Sequence, residues 1–250
     1  MKLSIIIINW NTKDLVKKTI ESIKNIKYTY EIILVDNNSK KPIDDLLKIN
    51  PYIKLIKNDS NLYFAKANNQ AFSIAQGEYI LLLGSDTKIL KDAIDKMIDF
   101  LDRRKEYSIV APQILNSDKT IQPSCRNFPT LINVIKSFFD FSKKSRFWGE
   151  YKLSYWDHNN SQEVKQPQAT CILIRKSIID KFGLFDTRFP LYFNDVDFFK
   201  RMDVNEVKTY FLKDAQIIHH YGQSTKKLGL KRRYFLIKGY ISYIFKWGIT

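Results

Sequence analysis

The chain has 250 residues, of which 44% are apolar, so wholesale disorder is excluded and one large domain or two small ones can form a core. Lys and Arg number 41 against 26 Asp and Glu, and the resulting net charge of +15 favours anionic partners such as phosphates or anionic lipid. The sequence contains no recognised nucleic-acid-binding motif besides this charge, so nucleic acid is not an expected partner.

The first half of the chain alternates apolar, β-branched runs with stretches of helical spacing. Leu3–Ile8 is typical of a strand that is buried on both faces, as in a parallel sheet, and Thr12 is placed to cap the helix that follows. Further strands are predicted at Ile32–Val35, Ile53–Ile56, Tyr79–Leu83 and Ser108–Ala111, and further helices at Pro42–Leu47, Phe64–Ala75 and Leu90–Leu101. The alternation predicts an α/β fold with a mostly parallel central sheet, whose strands bind ligands at their carboxyl ends.

The second half has a less regular pattern. Residues 112–165 contain prolines and an aromatic-rich stretch, and we interpret them as loops and short helices between core strands. Strands are predicted at 166–175 and 207–218, with a helix at Ile178–Phe182 between them. No internal repeat is visible.

Residues 231–247 have a distinct helical wheel. One side carries Lys231, Lys238, Ser242 and Lys246, whereas aromatic and aliphatic side chains cover most of the rest. A basic face opposite an aromatic face is typical of a helix that lies in a membrane interface. A terminal helix that packs on its own domain would explain the same pattern, and both interpretations stay open. Peripheral membrane contact through residues 231–250 is therefore one expectation.

Acidic residues follow two of the predicted strands. Asp36 comes after Ile32–Val35 and Asp86 after Tyr79–Leu83, which directs both towards the crevice of an open α/β sheet. The chain has neither the Gly-x-Gly-x-x-Gly fingerprint after its first strand nor a Gly-x-x-x-x-Gly-Lys phosphate loop. A carboxylate with a divalent cation is the remaining way to bind phosphate, since hard cations prefer oxygen ligands.

Structural roles compete with these functional ones. An aspartate directly after a strand also suits a turn or a helix cap, which applies to Asp36 and Asp86. Asp197 is spaced i,i+4 from Arg201, and an ion pair within a helix is the favoured interpretation.

The cysteines and the hydropathy of the sequence bear on the cellular compartment of the protein. Cys125 and Cys171 lie far apart without metal-ligand spacing, which favours a reducing cytosol over a disulfide framework. The apolar run near the N-terminus is too short for a signal sequence, and no run of about 18 apolar residues occurs. We expect a cytoplasmic protein, with any membrane contact peripheral and at the inner face of the cell membrane.

Several motifs in order resemble those of family 2 inverting glycosyltransferases with a GT-A fold. They are Ser4–Asn11, Val35–Ser39, Asn61–Asn69, Leu81–Thr87, Gly183–Asp186 and Tyr192–Arg201. Asn116–Thr130 is similar to the rhamnosyltransferase-like branch, and His219–Ser224 resembles the late His-x-x-Gly-x-Ser element of the family. The resemblance implies a GT-A-type α/β/α sandwich over residues 1–225, with an acceptor-side segment at 112–165 and a basic helical tail at 226–250.

The resemblance also implies roles for individual residues. Asp195 would be the general base, and Asp86 with His219 would hold Mg²⁺ or Mn²⁺, although the neighbouring His220 is an alternative to His219. The residues expected to contact the nucleotide-sugar donor are Thr12, Asp36, Asn61, Asn68, Ser85 and Asp86. Those expected to contact the acceptor or phosphate are Gln122, Arg126, Asp197 and Lys226.

The implied reaction is inverting transfer of a sugar from a dTDP- or UDP-sugar to a bacterial surface glycan or lipid-linked acceptor, with dTDP-rhamnose as the favoured donor. Two positions depart from the family pattern. Gly84-Ser85-Asp86 stands where the family has Asn-Pro-Asp or Asp-x-Asp, and Asn194-Asp195 stands where it has Glu-Asp. Because of these departures, a catalytically impaired binding or scaffold protein remains an alternative.

A nucleotidyltransferase on a similar sheet is the second alternative. Such an enzyme would carry a glycine-rich loop with Arg and Lys after the first strand, where this chain has Asn9-Trp10-Asn11-Thr12. Donor hydrolysis in the presence of Mg²⁺ or Mn²⁺ separates these possibilities.

Overall fold

The computed structural model describes residues 1–130, 151–220, 229 and 231–248. The strands are β1 Leu3–Asn9, β2 Tyr30–Asp36, β3 Ile53–Lys57, β4 Tyr79–Leu83, β5 Thr87–Ile89, β6 Tyr107–Leu115, β7 Cys125–Arg126, β8 Gln162–Glu163, β9 Gln166–Pro167, β10 Cys171–Arg175 and β11 Lys208–His219. The helices are α1 Lys13–Ser22, α2 Tyr63–Phe72, α3 Ala93–Arg103, α4 Lys176–Phe182, α5 Asn194–Val204 and α6 Lys231–Trp247, with a short 3-10 helix at Asp44–Lys48.

The central sheet has the strand order β3-β2-β1-β4-β10-β6-β11-β5, and β8 pairs with β11. The first four strands of this order run parallel to one another, and so do β6 and β11. β10 is antiparallel to both of its neighbours, and β5 is antiparallel to β11. The sheet is therefore mostly parallel but mixed, with β7 and β9 forming a separate two-stranded sheet.

Apolar layers cover the sheet on both sides. In β1, Ile5 and Ile7 pack with α1 and α3, whereas Ile6 packs on the opposite face with α2, α4 and α5. A strand that alternates between two cores must be apolar throughout, which is why β1 and β4 read as continuous runs. Burial of both faces also fixes the register of these strands, because a one-residue shift would exchange their faces.

Several predictions need correction, among them the single strand expected at 166–175, which is two strands, β9 and β10. Thr12 precedes α1, but its Oγ1 donates to Asn9 Oδ1 at 3.0 Å and does not cap the helix. The nearby amide oxygen is a competing partner for this hydroxyl. The third helix begins at Ala93 and not at Leu90, since β5 and a turn occupy the preceding residues. α5 was not predicted as an element, although the i,i+4 spacing of Asp197 and Arg201 indicates a helical turn within it.

Every helix in the described part of the chain is too short or too polar to cross a membrane.

Candidate active site

A cleft of about 470 Å³ opens where β1 and β4 end. The topology brings distant parts of the chain to this edge, as expected for an open α/β sheet. Seven of the predicted site residues line the cleft: Asn61, Asn68, Ser85, Asp86, Arg126, Asp195 and His219. Of the remaining predictions, Thr12, Asp36 and Gln122 lie behind this lining, Asp197 is buried beneath α6, and Lys226 lies outside the described residues.

A buried polar network forms one end of the site. The amide nitrogen of Asn9 donates to Asp36 Oδ1 at 2.8 Å and to Ser39 Oγ at 2.9 Å. The amide oxygen of Asn9 accepts from the backbone N–H and the hydroxyl of Thr12, and this hydroxyl lies 3.2 Å from Ser85 Oγ. Asn9 thereby fixes the Asp36 carboxylate. Sequence reasoning missed Asn9, although a polar residue that ends a wholly apolar strand was a signal.

Asp86 and His219 face each other across the cleft floor. Asp86 Oδ1 lies 3.4 Å from His219 Nε2, and His219 Nδ1 is 2.8 Å from Gln122 Oε1. Because an amide oxygen only accepts, Nδ1 donates to Gln122 and Nε2 is the ring nitrogen that faces Asp86. An imidazole nitrogen beside a carboxylate is a pair of groups that can bind a shared cation. The structure brings His219 into the cleft, whereas His220 bonds to Ser117.

The residues present fit a hard divalent ion. No group of three or more His, Cys, Asp or Glu side chains that could hold a metal occurs in the described ranges. Mg²⁺ and Mn²⁺ accept few protein ligands and complete their shells with water and phosphate oxygens. Asp86 and His219 can therefore hold such an ion together with a diphosphate.

Gly84 occupies the first of the two departures from the expected motif. A Cβ at this position would lie 3.2 Å from Thr87 Cγ2 and 3.3 Å from both Asp86 Oδ1 and Thr170 O. The backbone N–H of Gly84 donates to Thr170 O at 2.7 Å, which ties the end of β4 to the segment that enters β10. An aspartate at position 84 would require these neighbours to shift by a few tenths of an ångström.

Asp195 lies in the first turn of α5. Its Oδ1 accepts from the backbone N–H of Val196 at 2.9 Å, and the backbone N–H of Ala169 also bonds the carboxylate. Burial raises the pKa of Asp195, and the opposing effects of these N–H groups and of the Arg126 charge are smaller. A carboxylate with a raised pKa at the wall of a cleft is suited to accept a proton.

The turn before Asp195 has an unusual backbone. Phe193 has a φ of 64°, in the left-handed region that bulky residues rarely adopt. Such a conformation costs about 1–3 kcal/mol and persists where its surroundings hold it. α6 provides those surroundings, because Gly239 lets the helix approach closely: a Cβ there would lie 3.0 Å from Tyr192 O and 3.1 Å from Phe193 Cδ2.

Buried ion pairs hold α6 on the domain. Lys246 Nζ lies 2.6 Å from Asp197 Oδ1 and 2.9 Å from Asp186 Oδ2, and Trp247 Nε1 donates to Asp197 Oδ1 at 2.9 Å. Burial tends to raise the pKa of Asp186, but hydrogen bonds from Arg188 and Lys246 outweigh it and hold the pKa far below its usual range. The expected pair of Asp197 with Arg201 is present at 3.7 Å.

α6 has three faces. Its inner face includes Gly239 and Tyr243, which are buried, and its N-terminal part contributes Arg232 and Leu236 to the cleft wall. The outer face carries four apolar side chains that are 47–87% exposed: Tyr234, Ile237, Ile241 and Phe245. The helical wheel had grouped Lys246 with a basic side, but this residue turns inward because the buried Asp197 and the partly buried Asp186 lie there.

Residues 4–183 match the family described as Glycosyl transferase family 2. An N-acetylglucosaminyl-diphospho-decaprenol L-rhamnosyltransferase of Mycobacterium tuberculosis is 23% identical over 213 residues, which are 78% of this chain and 67% of that protein. A UDP-Glc:alpha-D-GlcNAc-diphosphoundecaprenol beta-1,3-glucosyltransferase of Escherichia coli is 34% identical over 121 residues. This match covers 47% of the chain and 48% of the Escherichia coli protein.

Solved structures share the fold. GalNAc-T7 with UDP, GalNAc and Mn²⁺ has a TM-score of 0.67 at 13% identity, over 89% of this chain and 44% of that one. Staphylococcus aureus TarS 1–349 in complex with UDP-GlcNAc has a TM-score of 0.64 at 16% identity, over 95% of this chain and 66% of that one. Both are GT-A glycosyltransferases, so the expected GT-A-type fold is confirmed.

The docking of α6 yields a stability prediction. Lys246→Ala leaves the fully buried Asp197 without its closest cation, which we expect to lower the free energy of unfolding by about 3 kcal/mol. Urea denaturation at neutral pH measures this value. Lys238→Ala removes an exposed lysine from the same helix and serves as the control, with an expected change within about 0.5 kcal/mol. Equal effects of the two substitutions would contradict the docking described for α6.

Proposed function

This chain belongs to glycosyl transferase family 2, and we propose that it moves a sugar from a nucleoside diphosphate donor to a hydroxyl of a lipid-linked or polysaccharide acceptor, with inversion at the anomeric carbon. The observation that carries the proposal is the shared cleft of Asp195 and the Asp86–His219 pair. One wall offers a proton acceptor, and the floor offers a site for a diphosphate with its cation.

The nucleoside would bind at the end of the cleft near Asp36. The Asp36 carboxylate, fixed by Asn9, can accept a hydrogen bond from an imide N–H, a group that uracil and thymine share. This favours a pyrimidine nucleotide and leaves both UDP- and dTDP-sugars as candidate donors. Asn61 and Asn68 line the same cleft and add polar contacts for the donor.

The diphosphate would bind at the cleft floor. Asp86 and His219 are the residues that would hold Mg²⁺ or Mn²⁺, which when bound neutralises the charge of the departing nucleoside diphosphate. The hydrogen bond between Gln122 and Nδ1 of His219 keeps Nε2 directed at this position. The positive charge of the chain favours approach of the anionic donor.

Asp195 would take the proton from the acceptor hydroxyl as its oxygen bonds the anomeric carbon. Positioned proton transfer of this kind contributes about 10²–10⁴-fold to the rate. Attack from the side opposite the departing diphosphate inverts the anomeric carbon. The neutral Asn194, at the second departure from the family pattern, bonds Leu191 O through its amide nitrogen and the N–H of Asp195 through its amide oxygen. It orders the start of α5 without a second charge beside the base.

A donor turnover assay tests this proposal. We expect release of nucleoside diphosphate from a UDP- or dTDP-sugar in Mn²⁺ or Mg²⁺, and loss of release with a chelator. Asp86→Asn should lower metal-dependent turnover by at least about 10²-fold, because the diphosphate loses its cation site. Asp59→Asn, an exposed position away from the cleft lining, is the control.

Two outcomes would contradict the proposal. Full turnover of the Asp86→Asn variant in the presence of chelator would remove the metal role. Binding of a nucleotide sugar without any turnover by the unaltered chain would favour the binding or scaffold alternative.

We also propose that the outer face of α6 contacts an anionic bilayer. Besides the inward Lys246, the helix carries four exposed Lys or Arg residues and no acid, and its outer apolar side chains are exposed while its inner face is docked. A basic helix with an exposed apolar stripe is suited to the membrane interface. The lipid-linked acceptors named for the two relatives support this proposal, because a cleft wall that touches the bilayer would meet such an acceptor.

A flotation assay measures this contact. Ile237→Ser/Ile241→Ser should reduce binding to vesicles with anionic lipid, whereas Leu47→Ser/Tyr52→Ser, which removes exposed apolar side chains elsewhere, should not. High salt should weaken binding of the unaltered protein, since each basic residue near the surface contributes about 1 kcal/mol at low salt. Equal binding of both double variants would contradict the proposal. If the Ile237→Ser/Ile241→Ser variant instead changes the oligomeric state, a second copy of this chain is the partner of this face.

A further inference from the structure

Several residues that line the cleft have a buried polar atom without a hydrogen-bond partner. In the described part of the chain, six buried side-chain atoms lack a hydrogen-bond partner: Glu31 Oε2, Gln166 Oε1, Gln168 Oε1, Tyr192 OH, Asp197 Oδ2 and Tyr240 OH. Glu31 and Asp197 face the cations of Lys54 and Arg201. Of the other four residues, Gln166, Gln168 and Tyr192 all line the cleft.

These unpaired atoms are expected to have a hydrogen-bond partner in a bound ligand or in water. A buried amide or hydroxyl oxygen without a hydrogen bond has lost its water and gained nothing in return. Native proteins tolerate this where a ligand or water completes the site. Gln166 is 2% exposed, so its side chain is held in place while its oxygen stays unpaired.

These residues line the same cleft as the proposed base. Gln168 directly precedes Ala169, whose backbone N–H bonds the Asp195 carboxylate, and Tyr192 lies in the turn that leads into α5. Gln166 pairs with Arg126 between β9 and β7. The proposed base and the three residues with unpaired atoms therefore line the same cleft.

Sheet topology separates this cluster from the nucleoside end of the cleft. Asp36 ends β2, Asp86 follows β4, and residues 166–170 lead into β10, which is the neighbour of β4 on the side away from β1. A ligand at Gln166 and Gln168 would thus lie beyond the diphosphate position and next to Asp195.

The chemistry of the cluster selects its ligand. Amide oxygens only accept hydrogen bonds and repel phosphate or carboxylate oxygens, whereas the tyrosine hydroxyl both donates and accepts. A ligand that offers several O–H groups within a few ångströms satisfies all three, and a sugar ring does so. Lipid chains offer none.

We propose that Gln166, Gln168 and Tyr192 form the subsite for the terminal sugar of the acceptor and orient one of its hydroxyls towards Asp195. This inference rests on the proposed glycosyl transfer, because it assigns the acceptor of that reaction. Sites built to bond a hydroxyl discriminate strongly against ligands that lack it. The three residues therefore determine which sugar is accepted.

Ligand-detected NMR tests the subsite without turnover. The probes are methyl glycosides of hexoses, 6-deoxyhexoses and N-acetylhexosamines. They are added to the full chain together with UDP or dTDP and with Mg²⁺, which is used in place of Mn²⁺ because it is diamagnetic. We expect at least one glycoside to bind, and its affinity to fall at least tenfold in Gln166→Met and in Gln168→Met. Gln166→Glu keeps an accepting oxygen and should retain more affinity than Gln166→Met.

Controls separate a ligand role from a structural one. Gln162→Met changes a glutamine on β8 outside the cleft lining and should leave glycoside affinity unchanged. Gln166→Met should not lower the melting temperature, because an unpaired buried oxygen is replaced by an apolar group of similar size. The affinity for UDP or dTDP should stay within twofold in all variants.

Clear results would overturn the inference. Absence of glycoside binding by the unaltered chain, or unchanged glycoside affinity in both methionine variants, would do so. A lower melting temperature of Gln166→Met together with unchanged affinity would assign the glutamine a structural role. Failure of the glycosyl transfer itself is recognised separately, because release of nucleoside diphosphate from the donor is measured on the unaltered chain.

Discussion

The parallel pairing of β1 with β2 and β4 is the constraint on which the site depends. In this register Asn9 lies beside Asp36, and the end of β4 stands next to the end of β1. Both faces of these strands are buried, so the register cannot shift without exposing one core and filling the other with polar groups. The polar residues that follow the strands must then converge on one edge.

This edge alone does not complete the site. Asp195 belongs to a turn and helix distant in sequence, and the left-handed backbone of Phe193 sets its direction. Gly239 of α6 lies against that turn, and Lys246 and Trp247 bind the buried Asp197 on the same helix as Asp195. The C-terminal helix is therefore part of the cleft wall as well as an outer surface.

Sequence patterns predict the strands well because burial on both faces leaves a continuous apolar signal. The bounds of β4 were predicted as observed, and β1 differs by one residue. The end of a predicted strand indicated Asp86, whereas the roles of Asp195 and His219 came from the family resemblance, since no local pattern relates residues so far apart in the chain. The structure brings these three to one cleft, although their catalytic roles remain proposals.

Tertiary contacts explain what the sequence did not predict. Lys246 looks like part of a solvated basic side until Asp186 and Asp197 are placed beside it. Asn9 resembles an ordinary strand end, and Gln166 and Gln168 resemble loop polar residues, because their burial depends on the fold. The start of α5 was missed since it lies in a motif rich in aspartate and asparagine, where turn signals outweigh helical spacing.

The central claim is that Asp195 is the general base. Burial raises its pKa, and the base must be ionised to work, so the rate of transfer should rise with pH through an apparent pKa above that of an ordinary aspartate. Comparison of turnover and UDP or dTDP affinity between the unaltered chain and Asp195→Asn tests the claim most directly. We predict a loss of turnover of about 10²–10⁴-fold with nucleotide affinity nearly unchanged. Turnover within about threefold of the unaltered chain would contradict the role of Asp195, because removing a general base costs far more than that.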